Sequence, residues 1–267
     1  MSIDPPKAKD QVAPGVIPEA RPPGLQHQED FLPAGNVFLA MMSHELRTPL
    51  QVVLGYASLL LDSNYDPLTR EQRADIVAIQ HAAQRMARLV DQILDLSRLE
   101  AGRLDLTQVH VDLTRTLRQV LQDAMPLAAA RGLDLRIAPN TPRVKVIGDP
   151  ERVHQILLNL VGNAIKFTEQ GWVQVSIQPS TDTVDILVAD SGIGISPEAQ
   201  AEIFDEFFQV SHGVSRRYSG AGLGLAISKR LANQMGGEIS VQSELGEGSV
   251  FTLRLPMAPP GYRDQPH

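Results

Sequence analysis

The chain reads as an α+β protein in two parts: a helical hairpin that pairs with a second copy into a dimeric four-helix bundle, followed by a two-layer α/β sandwich. Three observations carry this expectation. Two long stretches repeat apolar residues at helical spacing, the repeat gives way to alternating runs after Gly102, and capping residues mark where helices start.

In the first stretch, residues 37–61, Leu39, Met42, Leu46, Val53 and Leu60 recur at steps of three, four or seven, and Leu50, Leu54 and Ala57 widen the stripe. The run Asp62-Ser63-Asn64-Tyr65-Asp66-Pro67 interrupts it, and Thr69 with Gln72 forms a capping box that opens a second helix. That helix aligns Ile76, Ile79, Ala83, Met86, Val90, Ile93 and Leu96 and ends near Gly102, a residue suited to the left-handed conformation after a helix. Two helices with one apolar face each cannot bury those faces alone, so the pattern predicts a homodimer.

Beyond Gly102 the pattern is mixed α and β. Asp149 as N-cap and Pro150 at the first helical position open a helix through Lys166. Residues 172–177 alternate and 184–189 form a β-rich run ending at Asp190, so these read as paired strands. Ser196-Pro197 starts a short helix, 223–235 is helical up to Gly236-Gly237, and 238–242 with 249–255 reads as a closing hairpin. The expected division is a Pro-rich disordered lead-in over 1–32, the hairpin over 33–103, the sandwich over 104–257 and a disordered tail over 258–267.

An apolar fraction of 43% suffices for a buried core, while a formal charge of -7 lacks the basic footprint of a nucleic-acid binder. The sequence holds no run of 18 apolar residues that would span a membrane, and the absence of cysteine removes disulfide and thiol chemistry. The opening Met1-Ser2-Ile3-Asp4 does not resemble a secretory signal, so a cytoplasmic location is expected.

Counting about 100° per residue places His44 opposite the apolar stripe, on a solvent-facing side of its helix, with Thr48 one turn on. Glu45 beside it can fix the tautomer of the ring and leave one nitrogen free to attack phosphorus. Pro49 costs roughly 3 kcal/mol inside a helix and is expected to loosen this turn. Asn159, Asn163 and Lys166 share one helix face, and amide oxygens near a lysine suit Mg²⁺ on a triphosphate, although such amides also serve as core hydrogen-bonding groups. Gly220-Ala221-Gly222-Leu223-Gly224-Leu225 lacks the spacing and preceding strand of a dinucleotide fingerprint, but it opens a helix whose amides can meet a phosphate. His81, His110 and His154 have no metal-ligand spacing and are expected at surface or packing positions.

Ser43-His44-Glu45-Leu46-Arg47-Thr48-Pro49-Leu50, Asn159-Leu160-Val161-Gly162-Asn163-Ala164-Ile165-Lys166, Asp190-Ser191-Gly192-Ile193-Gly194, Phe204-Asp205-Glu206-Phe207-Phe208 and the glycine-rich loop occur in that order. Together they resemble the sensor histidine kinases of two-component signalling, over residues from about 36 to 256. The resemblance implies an ATP-binding sandwich of the type shared with gyrase, Hsp90 and MutL. It makes His44 the phosphoacceptor, Glu45 the base and Thr48 an aid to dephosphorylation of the partner. Asn163 becomes the Mg²⁺ ligand, with Asn159 supporting it as a second candidate, and Lys166 lies near the phosphates. Asp190 accepts from the adenine amino group, and Gly192 and Gly194 let the backbone approach the ring. Arg216 and Arg217 belong to a lid between Gly194 and Gly220 that includes Phe204, Phe207 and Phe208, while Gly220, Gly222, Leu223 and Gly224 form the phosphate loop. The family often has threonine where this chain has Ala221. Implied cofactors are ATP and Mg²⁺, and implied partners are a second copy and the receiver domain of a response regulator. Input would come from a separate sensory partner, from the short N-terminal segment, or from a longer protein of which this chain is a piece.

Overall fold

A computed structural model of the chain describes Met1 and residues 31–62, 67–102, 104–209 and 222–258, with side chains from Leu46 onward in the first of these segments. The expected lead-in before residue 31, most of the turn between the first two helices and the tail from residue 259 lie outside the described residues.

Helix α1 (Phe31–Leu61) and helix α2 (Arg70–Glu100) form the hairpin. α1 starts earlier than its periodicity indicates and takes in the last residues of the expected lead-in; Pro33 falls in its first turn, where a missing N–H breaks no helical bond. It also runs through Pro49 as continuous helix, so the expected loosening does not interrupt it. Thr69 and Gln72 make the reciprocal capping box, at 3.1 and 3.0 Å, and Gly102 takes φ +61° just past the end of α2. Arg47 pairs with Asp91, and Gln80 Nε2 donates to Ser58 Oγ at 3.1 Å. This antiparallel register sets position 44 level with Leu94 and Asp95.

The broad stripe on α1 splits in two. Leu50 and Ala57 are buried against α2, whose Ala83 and Leu94 are buried in turn, whereas Leu46, Val53 and Leu60 stay exposed. On α2 the matching open line is Ile79, Met86 and Ile93, with Ile79 51% and Met86 54% exposed. Both open lines have seven-residue spacing, the repeat of a helical-bundle seam.

The rest of the chain runs β1 (Val109–Asp112), α3 (Leu113–Ala130), β2 (Asp134–Ile137), β3 (Lys145–Gly148), α4 (Pro150–Phe167), β4 (Trp172–Pro179), β5 (Thr183–Asp190), α5 (Pro197–Glu202), α6 (Gly224–Gln234), β6 (Glu238–Glu244) and β7 (Gly248–Pro256). β1 and β3 pair antiparallel, and the main sheet has the order β2-β4-β5-β7-β6, with only β2 and β4 parallel. Alternation along β4 and β5 turns Val173, Val175, Ile177, Val184, Ile186 and Val188 inward. There they meet Leu113 and Leu117 of α3, Ile156, Leu157, Leu160 and Ile165 of α4, and Leu231 of α6, all fully buried.

α3 and the three short strands β1 to β3 fill the stretch that sequence pattern leaves unassigned as mixed α and β. Met257, the last residue of the expected sandwich, bridges to Val146, and its N–H donates to the Asp182 carbonyl at 2.8 Å.

The hairpin does not hang from a loose tether. Leu96 and Leu99, in the last turns of α2, are buried in the sandwich core. Beside them Asp95 Oδ2 accepts from Arg152 Nη1 at 3.0 Å and Gln155 Nε2 at 2.9 Å, and that same Arg152 nitrogen donates to Gln155 Oε1 at 2.8 Å.

Candidate active site

The site is laid out along the C-terminal half of α4. Asp149 caps the helix, its Oδ1 accepting from Glu151 and Arg152 N–H groups at 2.9 and 3.1 Å and its Oδ2 from Thr107 N–H at 3.1 Å. At the far end Arg131 Nη1 donates to the Ile165 and Lys166 carbonyls at 2.9 and 2.8 Å, satisfying groups the helix leaves unpaired.

Asn159 and Asn163, one turn apart, have different surroundings. Asn159 Nδ2 donates to Ser228 Oγ at 3.0 Å, and α6 comes so near that a Cβ on Gly224 would lie 2.5 Å from Asn159 Oδ1. Asn159 therefore braces the start of α6. The half-buried Asn163 carboxamide has no hydrogen-bond partner among the described residues. Lys166 Nζ lies 4.8 Å from the centre of the Phe167 ring; burial, and then the nearby Arg131 guanidinium, hold its pKa below the ordinary amine value. A charged phosphate would relieve both effects.

Phe167 ends α4 and anchors the next loop. Ile193 N–H donates to the Phe167 carbonyl at 3.2 Å, and a Cβ on Gly192 would come within 2.5 Å of that same oxygen, so Gly192 permits the contact. Gly194 takes φ +69° against the Glu244 backbone and is locked by Gly246 N–H to the Ile193 carbonyl at 2.8 Å. Ser191 Oγ accepts from Trp172 N–H at 2.9 Å. Asp190, only 7% exposed at the end of β5, accepts from Gly192 N–H on Oδ1 at 2.9 Å. Burial raises its pKa, and the Gly192 and Ser249 amides oppose that rise.

The glycine-rich loop is described from Gly222. Gly222 takes φ +73°, and its carbonyl accepts from Phe207 N–H at 3.2 Å. Leu223 is buried in the core and fixes the loop, and Gly224 begins α6 with backbone amides at its open end. Arg216, Arg217, Gly220 and Ala221 lie outside the described residues, as does the later part of the expected lid; its earlier part, to residue 209, is described, with Phe204 and Phe208 packed on the core and Phe207 exposed. On the hairpin, His44 and Glu45 belong to α1 but their side chains are not described, while Thr48 is exposed one turn on.

Sequence reasoning missed the bracing residues: Arg131 at the end of α4, Ser228 under Asn159, and Ser243, whose Oγ accepts from Ile195 N–H at 2.8 Å and donates to the Gly248 carbonyl at 2.7 Å. No local pattern marks them, because each acts on a part of the chain that sequence alone does not place beside it. His154, expected at a surface or packing position, bonds Asp123 of α3 at 3.0 Å.

The cofactor groups fit this frame. Among the described residues no cluster of three or more His, Asp or Glu could hold an ion. The Asn163 amide oxygen is the kind of ligand that could join substrate phosphates around Mg²⁺, an ion that takes few protein ligands. No helix among the described residues is long and apolar enough to cross a membrane.

Two family models match in tandem. Residues 36–102 match the His Kinase A (phospho-acceptor) domain, and residues 148–259 match the histidine kinase-, DNA gyrase B-, and HSP90-like ATPase. The chain is 42% identical over 226 residues to the circadian input-output histidine kinase CikA of Synechococcus elongatus, covering 84% of this chain and 30% of that relative. It is 40% identical over 225 residues to the signal transduction histidine-protein kinase BarA of Escherichia coli K12, covering 82% of this chain and 24% of that one. Among solved structures, full-length ShkA in complex with AMPPNP superposes with a TM-score of 0.70 at 40% identity, over 84% of this chain and 46% of that one. The chain belongs to the sensor histidine kinases of two-component systems. It spans less than a third of the length of the two curated relatives.

Proposed function

We propose that this chain is an ATP-dependent protein histidine kinase that phosphorylates His44 and passes the phosphoryl group to an aspartate of a response-regulator receiver domain. The observation that carries the reading is the layout of α4. Asn159 touches Gly224 of the phosphate loop and Phe167 holds the loop after Asp190, so base-reading and phosphate-binding ends lie about 12 Å apart along one rigid helix, with Asn163 between them. Both relatives are named as histidine kinases.

In this reading Asp190 accepts from the adenine amino group, while Lys166 and the α6 amides receive phosphate charge. Asn163 holds Mg²⁺, which neutralises charge on the phosphates when bound. A His44 ring nitrogen attacks the γ-phosphorus in line, forming an N–P bond as the bond to the ADP oxygen breaks. Glu45 bonds the other ring nitrogen and orients it. Thr48 faces the same side and serves the reverse duty, dephosphorylating the partner. The open lines Leu46-Val53-Leu60 and Ile79-Met86-Ile93 are buried by a second copy in a four-helix bundle. The proposed location is the cytoplasm, where ATP is available, and the proposed input comes from a sensory partner or segment.

Incubation with γ-labelled ATP and Mg²⁺ tests this directly. Acid-labile, alkali-stable label is expected on the protein and should vanish in His44→Gln, with nucleotide binding kept. Release of free phosphate without labelled protein would mean an ATPase, and neither product would mean a nucleotide-binding scaffold.

A further inference from the structure

We infer that Arg230 is a positioning residue for this reaction, linking the end of the hairpin to the turn that supports Gly222; the inference rests on the kinase reading above. Arg230 projects from α6, two turns beyond the phosphate loop. Its Nη2 pairs with Glu206, and its Nη1 reaches Glu100 of α2 at 3.4 Å. The two carboxylates belong to different parts of the molecule, and this guanidinium joins them.

Glu206 immediately precedes Phe207, a non-glycine residue at φ +61°. Such a conformation persists only where its surroundings enforce it. The restraints come from α6 on both sides: Lys229 Nζ stands 4.9 Å over the Phe204 ring, and Arg230 holds Glu206. The strained residue in turn faces the site. Phe207 N–H donates to the Gly222 carbonyl, and a Cβ on Gly222 would lie 2.7 Å from Phe207 C and from the Phe208 carbonyl oxygen. The 204–208 turn is thus the floor on which the first described residue of the phosphate loop rests.

Glu100 has a separate task. Leu96, Leu99 and the Asp95–Arg152–Gln155 cluster already dock α2 on the sandwich. An exposed contact at 3.4 Å adds little to that docking. What it does is tie the α2 end to the same side chain that holds the floor of the phosphate loop. Glu206 therefore governs how well the nucleotide is held, and Glu100 governs how the loaded site is presented to the hairpin.

The test uses the full chain with Glu206→Gln, Glu100→Gln and Arg230→Gln. It reads the Kd of a fluorescent ATP analogue and the rate of phosphohistidine formation at saturating ATP. Glu206→Gln should raise the Kd about threefold, a size typical of a part-exposed ion pair. Glu100→Gln should leave the Kd unchanged and slow transfer at saturation about threefold, and Arg230→Gln should do both. Unchanged Kd in Glu206→Gln, or equal Kd losses in the two glutamate variants, would overturn the assignment. A lowered melting temperature without a change in Kd or rate in Arg230→Gln would overturn it as well. If the wild-type chain formed no phosphohistidine, the kinase reading would fail, and the Kd of Glu206→Gln would still decide whether Arg230 supports the nucleotide loop.

Discussion

The sandwich and the hairpin bury their apolar residues in opposite ways. In α4 the inward residues Ile156, Leu157, Leu160 and Ile165 reach zero exposure using only partners from the same chain, whereas in α2 Ile79 and Met86 remain half exposed with α1 already packed beside them. One region is complete as a monomer and the other presents a second seam. The reaction proposed above needs both kinds, a closed frame to hold nucleotide and an open one that a second copy completes.

Core truncation should separate the regions most sharply. Leu160→Ala should cost the sandwich about 2–5 kcal/mol, while Met86→Ala should change the stability of the single chain by less than about 1 kcal/mol, both measured by chemical denaturation at low protein concentration. Similar losses at the two sites would mean that the hairpin seam is not open. Next in size is Ile79→Asp, which places an unpaired charge in the proposed seam and should shift a dimer to monomer in sedimentation equilibrium with nucleotide binding intact. A wild-type chain that sediments as a folded monomer at micromolar concentration would remove the four-helix bundle.

Substitutions in the site itself should divide along the same line. Asn163→Asp should weaken Mg²⁺-dependent nucleotide binding, and Glu45→Ala should slow transfer with affinity near wild type; equal affinity losses would show that the roles are misassigned. The smallest expected effect is on stability, in Asp190→Asn. Burial raises the folded-state pKa of Asp190 above its unfolded value near 4, so between those two values the folded chain binds more protons and stability falls as pH rises. At neutral pH the cost of burying the charge is fully present. An uncharged carboxamide at this position can still accept from Gly192, so Asp190→Asn should remove that slope and leave the nucleotide-free protein at least as stable at neutral pH, while ATP affinity drops. A variant that unfolds more readily at pH 7 would contradict this.

Much of the architecture was legible because its signals are local. The Thr69–Gln72 capping box, the Asp149-Pro150 start and the alternation into Asp190 each specify one element within a few residues, and the structure shows all three. The stretch before α4 was harder for two physical reasons. β1, β2 and β3 have four residues each, too few for a period to emerge, and α3 carries Pro126 inside an otherwise regular set of Leu113, Leu117, Val120, Leu121, Ala124 and Ala128. In the candidate site, residue types on one face of a helix were readable, but their division of labour was not. Asn159 and Asn163 look alike in sequence; only the approach of Gly224 and Ser228 commits the first to bracing and leaves the second without a protein partner among the described residues.

The burial of Leu96 and Leu99 gives α2 the character of a drive shaft rather than a cord. A flexible joint would let the bundle twist while the nucleotide-binding body stayed put. Here the helix reaches Glu100 without a break and its last turns are embedded in the body they would move, so torque applied at the far end has no slack in which to dissipate. Any input that rotates α2 about its axis must carry the sandwich round with it or break that embedded grip.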